Sequence, residues 1–340
     1  MRSRHVVFTA PDRVEVADET VAAPGVGQVL CQAEASLIST GTESTALRGE
    51  FDPGTNWADW IRYPHRPGYS MAATVLDRGP GVSSLAPGDL VASWTPHCER
   101  FLIDAASATP VPAGVSAEEA AFTVLGSTTQ LAVRRAQLQL GERVGVIGLG
   151  LLGQLVVQYC RLAGAQSIIA IDAPGVRLDA AVAHGATHAV AADVATAREA
   201  VAEATGGRML DVVFDVTGHP DVLAPAIGLV RQLGRVVLLG DTATPSRQRL
   251  GPGVVSNSVA ILGIHALARP DVANDFHPWS GAEIAALFLS FVAQGRLRVA
   301  DLITHRRSPV DAPEVYAWLA GDRSSAIGVV FDWRRLRVAG

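Results

Sequence analysis

The stretch Arg143-Val144-Gly145-Val146-Ile147-Gly148-Leu149-Gly150-Leu151-Leu152-Gly153 decides the fold. It reads as a short apolar strand, a glycine-rich turn and the opening of a helix over Leu151–Leu162. The glycines Gly148, Gly150 and Gly153 form a G-x-G-x-x-G pattern. The first permits a tight turn, the second lets backbone approach a pyrophosphate, and the third lets helix and strand pack closely. The helix N-terminus, with the amides of Leu149, Leu151 and Leu152 around it, suits a diphosphate charge. The next strand ends in Asp172, where a carboxylate accepts from the adenosine ribose hydroxyls and repels a 2′-phosphate. These residues predict a dinucleotide site for NAD(H) rather than NADP(H). Arg177, near enough to meet a phosphate, pulls the other way. An ordinary helix-packing turn is the alternative, and strand, helix and acid in register argue against it.

Outward from this turn, strands are expected at 143–147, 167–171, 188–191, 211–216, 235–239 and 259–264, with helices between. That alternation predicts a parallel sheet covered on both faces. Ligands of such sheets lie at the carboxyl ends of strands. Thr217 and Gly218 after one strand, and Gly240 after the next, are therefore candidate cofactor residues. Ser116 followed by Glu119 has the form of a capping box that opens the helical region.

Residues 1–118 have a different character. Short alternating stretches such as Val6–Phe8, Arg13–Val16, Val29–Leu37, Ala73–Leu76 and Leu90–Ser93 read as strands punctuated by Gly and Pro. Between Arg48 and Pro67 the pattern is irregular and carries Trp57, Trp60, Tyr63 and His65. The tail, 266–340, returns to mixed structure, with amphipathic helices near Ala282–Gln294 and Ala312–Ala320 and a strand at Ile327–Phe331. The expected organisation is α/β: a β-rich domain of 1–118 with 266–340, and a doubly wound parallel-sheet domain of 119–265.

Composition excludes several classes. The net charge of −5 gives no reason to expect nucleic acid or an anionic membrane as partner. No apolar run reaches the roughly 18 residues of a membrane helix, and Met1–Ala10 does not read as a signal peptide. The cytoplasm is the expected location. Every basic residue other than histidine is arginine, so lysine chemistry is impossible. Cys31, Cys98 and Cys160 form no C-x-x-C pair, which predicts neither a disulfide framework nor a cysteine-rich zinc site.

The order of parts, together with Gly88-Asp89, His97–Phe101, the Pro112–Ala121 helix entry and Leu302–Arg306, resembles the medium-chain dehydrogenase/reductase superfamily along the whole chain. That resemblance implies a GroES-like catalytic domain around a Rossmann domain. Zinc-containing members hold the metal with a cysteine in a C-G-T-D-like run, a histidine in G-H-E, and a further cysteine or acid. Here the runs are Thr40-Gly41-Thr42-Glu43 and Gly68-Tyr69-Ser70, and Val124-Leu125-Gly126 offers no ligand. The four-cysteine structural lobe is also missing. No zinc and no other metal is expected. The runs Ile38–Glu43 and Pro67–Ser70 are similar to members related to bacteriochlorophyllide dehydrogenase, which oxidise a secondary alcohol on a ring substituent. The glycine pattern and Asp172 fit the alcohol and polyol dehydrogenases better than the enoyl and quinone reductases.

The resemblance implies interconversion of a cyclic or polyhydroxylated secondary alcohol and its ketone by hydride transfer. Reduction of an activated C=C bond is the alternative enzyme reading, and a NAD-binding protein without catalysis is a third. Without zinc, a hydrogen-bond donor must stabilise charge on the substrate oxygen. Tyr69 stands at a former ligand position and is the candidate donor, a packed core tyrosine being the alternative. Thr42 aligns with the hydroxyl residue that relays protons in zinc members. His265, after the last sheet strand, is a second candidate acid/base, or else a loop histidine. Thr40, Glu43, Trp57, Trp94 and His97 are candidate substrate-pocket residues, with ordinary packing the alternative for at least one of the tryptophans. Superfamily members pair through the edge of the Rossmann sheet, so a homodimer is expected along apolar Val259–Ile264.

Overall fold

The computed structural model describes residues 1–275 and 277–338. Phe276, Ala339 and Gly340, which fall in the expected C-terminal return, lie outside the described residues. In chain order the first elements are β1 (Arg2–Ala10), β2 (Arg13–Thr20), β3 (Gln28–Leu37), α1 (Thr40–Arg48), α2 (Asn56–Trp60), β4 (Met71–Arg78), β5 (Leu90–Ser93), β6 (Arg100–Asp104) and β7 (Thr109–Pro110). Then come α3 (Ala117–Ala120), α4 (Thr123–Arg135), β8 (Arg143–Ile147), α5 (Leu151–Leu162), β9 (Ser167–Asp172), α6 (Val176–Ala183), β10 (His188–Ala191), α7 (Arg198–Ala204), β11 (Leu210–Asp215), α8 (Leu223–Ile227), β12 (Val230–Leu238) and β13 (Ala260–Gly263). The chain returns through α9 (Gly281–Ala293), β14 (Ile303–Arg307), α10 (Ala312–Ala320) and β15 (Gly328–Asp332). None of the described helices is long and apolar enough to cross a membrane.

These elements form two compact units, 1–125 with 285–340, and 126–284. Residues 119–125, expected in the Rossmann part, belong to the first unit, where Ser70 Oγ donates to Ala121 O at 2.5 Å. Residues 266–284, expected in the return, belong to the second. There the Arg134 guanidinium lies 3.8 Å over the Trp279 ring and holds the stretch against α4.

The second unit is a six-stranded sheet in the order β10-β9-β8-β11-β12-β13. All its pairings are parallel. The strand order reverses between β8 and β11, which puts the loops after those strands at the topological switch point. Val144 and Val146 of β8 and Val212 and Val213 of β11 are fully buried. This is why these strands read as continuous apolar runs rather than alternating ones. Each fully buried valine or leucine contributes roughly 1.5–3 kcal/mol.

The first unit holds a seven-stranded sheet, β14-β15-β3-β4-β5-β7 with β6 paired to β3, and the separate hairpin β1–β2. The capping box at Ser116 is formed: Ser116 Oγ accepts from Glu119 N, and Glu119 Oε2 accepts from Ser116 N. Helix α1 was not expected from its Thr/Ser/Gly-rich sequence, which has weak helix propensity. Two terminal devices hold it. Glu43 Oε1 accepts from Ser39 N at 2.7 Å, and left-handed Gly49 donates its N–H to Thr45 O.

Candidate active site

In the second unit the glycine turn is built as a cradle. Gly148 has φ +87°, and a Cβ there would come 2.8 Å from Thr217 Cγ2. A Cβ on Gly153 would come 2.0 Å from Gly148 O, so only glycine lets α5 sit this close to the turn. A Cβ on Gly150 would meet no protein atom within 4 Å. Glycine there keeps open the approach to the N-terminus of α5, where a pyrophosphate would come closest. The loop after β12 closes the row: a Cβ on Gly240 would lie 2.3 Å from Gly218 N. Gly148, Thr217, Gly218 and Gly240 are thus contiguous at the strand ends.

Asp172 completes this arrangement. Its Oδ2 accepts from Leu149 N and its Oδ1 from Ala173 N, each at 2.7 Å. One amide per oxygen leaves acceptor capacity on both, which fits a ribose diol. Gln154 was not singled out in the sequence. Its buried amide donates to Leu149 O at 3.0 Å and to Arg177 O at 2.8 Å. It therefore ties the glycine turn to the start of α6, and Arg177 is half-buried there. Asp215 is buried and accepts from both the N–H and the hydroxyl of Thr217. Burial pushes its carboxyl above the ordinary value, against the pull of the Thr217 bonds. His265 is exposed just after β13, and its Nδ1 accepts from Leu267 N at 3.3 Å.

In the first unit three hydroxyls meet. Tyr69 Oη donates to Ser39 Oγ at 2.6 Å, and Ser39 Oγ donates to Thr42 Oγ1 at 3.3 Å. Thr42 Oγ1 lies 3.4 Å from Tyr69 Oη. The Tyr69 ring stacks on Trp94, with centroids 4.9 Å apart and planes at 22°. Its backbone is fixed by Gly68, at φ +89°, where the His97 ring occupies the place of a Cβ. Burial raises the Tyr69 phenol above its ordinary value, the hydrogen bonds with Ser39 and Thr42 lower it, and the charge of Glu43 adds to the rise. Tyr69 is therefore a protonated donor at neutral pH.

Glu43 and His97 have a setting other than the pocket wall expected for them. Both are buried, at 2% and 0% exposure. His97 Nε2 meets Glu43 Oε2 at 3.1 Å, and His97 Nδ1 meets Ser36 Oγ at 2.8 Å. Tyr316 Oη donates to Glu43 Oε2, and Trp333 Nε1 donates to Ser36 Oγ at 2.9 Å. Burial between protein partners makes the pair a support beneath Ser39 and Gly68. Trp57 is buried against Trp60, centroids 6.1 Å apart, whereas Trp94 is 42% exposed. Thr40 opens α1, its carbonyl accepting from Arg323 at 3.4 Å.

Zinc favours nitrogen, sulfur and carboxylate donors in a tetrahedral set. Thr40, Tyr69 and Ser70 supply hydroxyls, and those of Tyr69 and Ser70 are engaged within the protein. Among the described residues there is no group of three or more His, Cys, Asp or Glu side chains that could hold a metal ion. The residues at these positions do not fit the metal.

With a 3-2-1-4-5-6 parallel sheet, a glycine cradle and an acid at the end of its second strand, the chain is similar to the medium-chain dehydrogenase/reductase superfamily of oxidoreductases. The zinc-binding dehydrogenase family model matches residues 152–280. The chain is 26% identical over 272 residues to D-guloside 3-dehydrogenase of Escherichia coli K12, covering 78% of this chain and 77% of the relative. It is 24% identical over 351 residues to 2-desacetyl-2-hydroxyethyl bacteriochlorophyllide A dehydrogenase of Cereibacter sphaeroides, covering 98% and 99%. The crystal structure of 2R,3R-butanediol dehydrogenase from Bacillus subtilis superimposes with a TM-score of 0.80 at 20% identity, over 97% of this chain and 99% of that one.

Proposed function

We propose that this chain is a zinc-independent, NAD(H)-dependent oxidoreductase that interconverts a cyclic or polyhydroxylated secondary alcohol and its ketone. The observation that carries the reading is the hydroxyl cluster of Tyr69, Ser39 and Thr42; by the sequence resemblance Tyr69 takes the place of a zinc ligand and Thr42 that of the proton-relaying hydroxyl. The dehydrogenase names of the relatives, which cover a guloside, a butanediol and a hydroxyethyl bacteriochlorophyllide, support it.

In this reading a bound nicotinamide supplies or accepts the hydride. Asp172 accepts from the adenosine ribose hydroxyls, and the open face of Gly150 admits the pyrophosphate. Thr217, Gly218 and Gly240 line the cofactor. Tyr69 Oη donates a hydrogen bond, and then its proton, to the oxygen of the ketone as charge develops there. Its raised phenol suits donation to a forming alkoxide better than deprotonation of an alcohol, so reduction is the favoured direction. Thr42 passes the replacement proton. The exposed indole of Trp94 flanks the reacting group. His265 remains the second candidate acid/base. The unpaired edge of β13 is proposed to join a second copy, giving a cytoplasmic homodimer; a sedimentation mass of one chain would refute that part.

The test follows nicotinamide absorbance of purified, metal-analysed protein against ketones, secondary alcohols and enones, offering NAD(H) and NADP(H) separately. Turnover of ketones or alcohols with NAD(H) and no bound zinc is expected. Turnover of enones alone would move the chain to the C=C reductases.

A further inference from the structure

Ser39 occupies the N-cap position of α1, where a serine hydroxyl ordinarily accepts from a backbone N–H in the first helical turn. Here its side chain makes no capping hydrogen bond. Glu43 instead secures this end from within the helix, its Oε1 accepting from Ser39 N at 2.7 Å. The Ser39 hydroxyl is released from the local task and turned to Tyr69 Oη at 2.6 Å, the shortest contact in the cluster. Ser39 itself is 93% buried by its neighbours, with 7% exposure, so water competes poorly for that bond.

The remaining constraints on Tyr69 act elsewhere. Trp94 sets its ring plane, and Gly68 against His97 sets its backbone. Among the described residues, Ser39 and Thr42 are the groups hydrogen-bonded to its oxygen. A hydroxyl can both accept and donate. Ser39 Oγ accepts the phenol's hydrogen bond when no substrate is bound, and can turn to donate to Tyr69 Oη once that proton is directed to the substrate oxygen.

We propose that Ser39 is a positioning residue, which aims Tyr69 Oη and, by reversing its hydrogen bond, stabilises the tyrosinate left when Tyr69 gives its proton to the substrate oxygen. This rests on the role of Tyr69 in the reading above. The balance is simple: the Tyr69 O–H bond breaks, an O–H bond forms on the substrate oxygen, and the negative charge rests on Tyr69 Oη until a proton returns from solvent by way of Thr42. No charge is placed on Ser39 at any point. The charged group facing Tyr69 is Glu43, which opposes a tyrosinate, and this is why a donor at Ser39 matters.

The experiment compares Ser39→Ala and Ser39→Thr with the unsubstituted protein and Tyr69→Phe. Steady-state ketone reduction is measured across pH. The protein's four tyrosines are titrated by 13C NMR at Cζ without substrate, the Tyr69 line being assigned by its loss in Tyr69→Phe. Ser39→Ala is expected to lower kcat roughly 10-fold to 100-fold, as loss of one hydrogen bond to a charged atom does. KM should stay within about twofold. The Tyr69 titration midpoint should move up, and Ser39→Thr should restore both readouts. An unchanged midpoint in Ser39→Ala, or a kcat within about twofold of the original, overturns the proposal. The NMR titration stands apart from turnover. If Tyr69→Phe keeps the full rate, the catalytic reading fails, and with it Ser39's part in the reaction. If Tyr69→Phe is inactive and Ser39→Ala is not, only the present inference fails.

Discussion

Glu43 Oε2 and His97 Nε2 lie 3.1 Å apart in the interior of the first unit, and Glu43 also accepts from Tyr316 Oη and Ser39 N. Removing one partner leaves a buried polar group without compensation, which costs about 1–3 kcal/mol, more where the group is charged. Glu43→Ala and His97→Ala should each lower the free energy of unfolding by about 3 kcal/mol. Their double mutant should lose less than the sum, because both delete the same interaction. Urea unfolding checks this. A loss below about 1 kcal/mol in both single mutants would mean that the network carries no stability.

Stability should also fall in mild acid through a histidine. His65 packs edge-on against Trp60 with centroids 5.4 Å apart, and burial holds its ring below the ordinary histidine value, partly offset by Glu43. As pH falls, the unfolded chain takes up the proton first. The contribution is fully present above about pH 6.5 and is lost as pH drops toward the lowered value in the folded state. Its slope is at most about 1.4 kcal/mol per pH unit. His65→Phe keeps an aromatic ring beside Trp60 and should flatten the dependence of stability on pH below about pH 6.5. An unchanged slope in urea titrations over that window would show that His65 is not the group responsible.

Tyr69→Phe removes the hydroxyl and keeps the ring stacked on Trp94. Loss of a general acid typically costs 10²-fold to 10⁴-fold in rate. A fall in kcat of roughly 10²-fold or more is expected, with thermal stability little changed. Steady-state kinetics and a melting curve check it. If His265→Ala causes the large loss and Tyr69→Phe does not, the roles of these two candidates are exchanged.

The parts legible in the sequence are those where one residue type has one physical reason. Gly148, Gly150 and Gly153 could be read because a tight turn, an open approach and a helix–strand contact each exclude a side chain, and the structure shows those three environments. The capping box of Ser116 and Glu119 is equally local. Ser39 was hidden for the opposite reason. A serine before a helix is normally a cap, and its partner Tyr69 lies thirty residues away. The signal that could have exposed it is Glu43, an acid in the first turn of α1 able to secure Ser39 N in its place. Glu43 and His97 were legible as polar residues near the site. Their burial was not, because it depends on Tyr316 and Trp333 arriving from the far end of the chain.

Asp172 makes a prediction about cofactor choice. Each of its oxygens holds one backbone amide, and the remaining acceptor capacity suits a ribose diol. A hydrogen bond to a charged group contributes about 1.5–3 kcal/mol. Asp172→Ala should therefore weaken use of NAD(H) roughly 10-fold to 100-fold in kcat/KM. It should also remove the repulsion against a 2′-phosphate, narrowing the gap to NADP(H). The ratio of the two kcat/KM values decides the matter, and an unchanged ratio would mean that Asp172 serves only the turn at Leu149.

Two glycines of the same turn should respond differently to one added methyl group. A Cβ on Gly153 would sit 2.0 Å from Gly148 O, a backbone atom that cannot swing away, so α5 must shift or the turn must open. Overpacking of this kind costs about 1–3 kcal/mol or more. Gly153→Ala should melt at lower temperature whether or not cofactor is present. A Cβ on Gly150 would meet nothing in the protein. Gly150→Ala should keep its melting temperature without cofactor but lose most of the upward shift that NADH produces, since ligand stabilisation follows affinity. Melting curves with and without NADH test both. Equal behaviour of the two variants would mean that the space over Gly150 is not where the pyrophosphate lies.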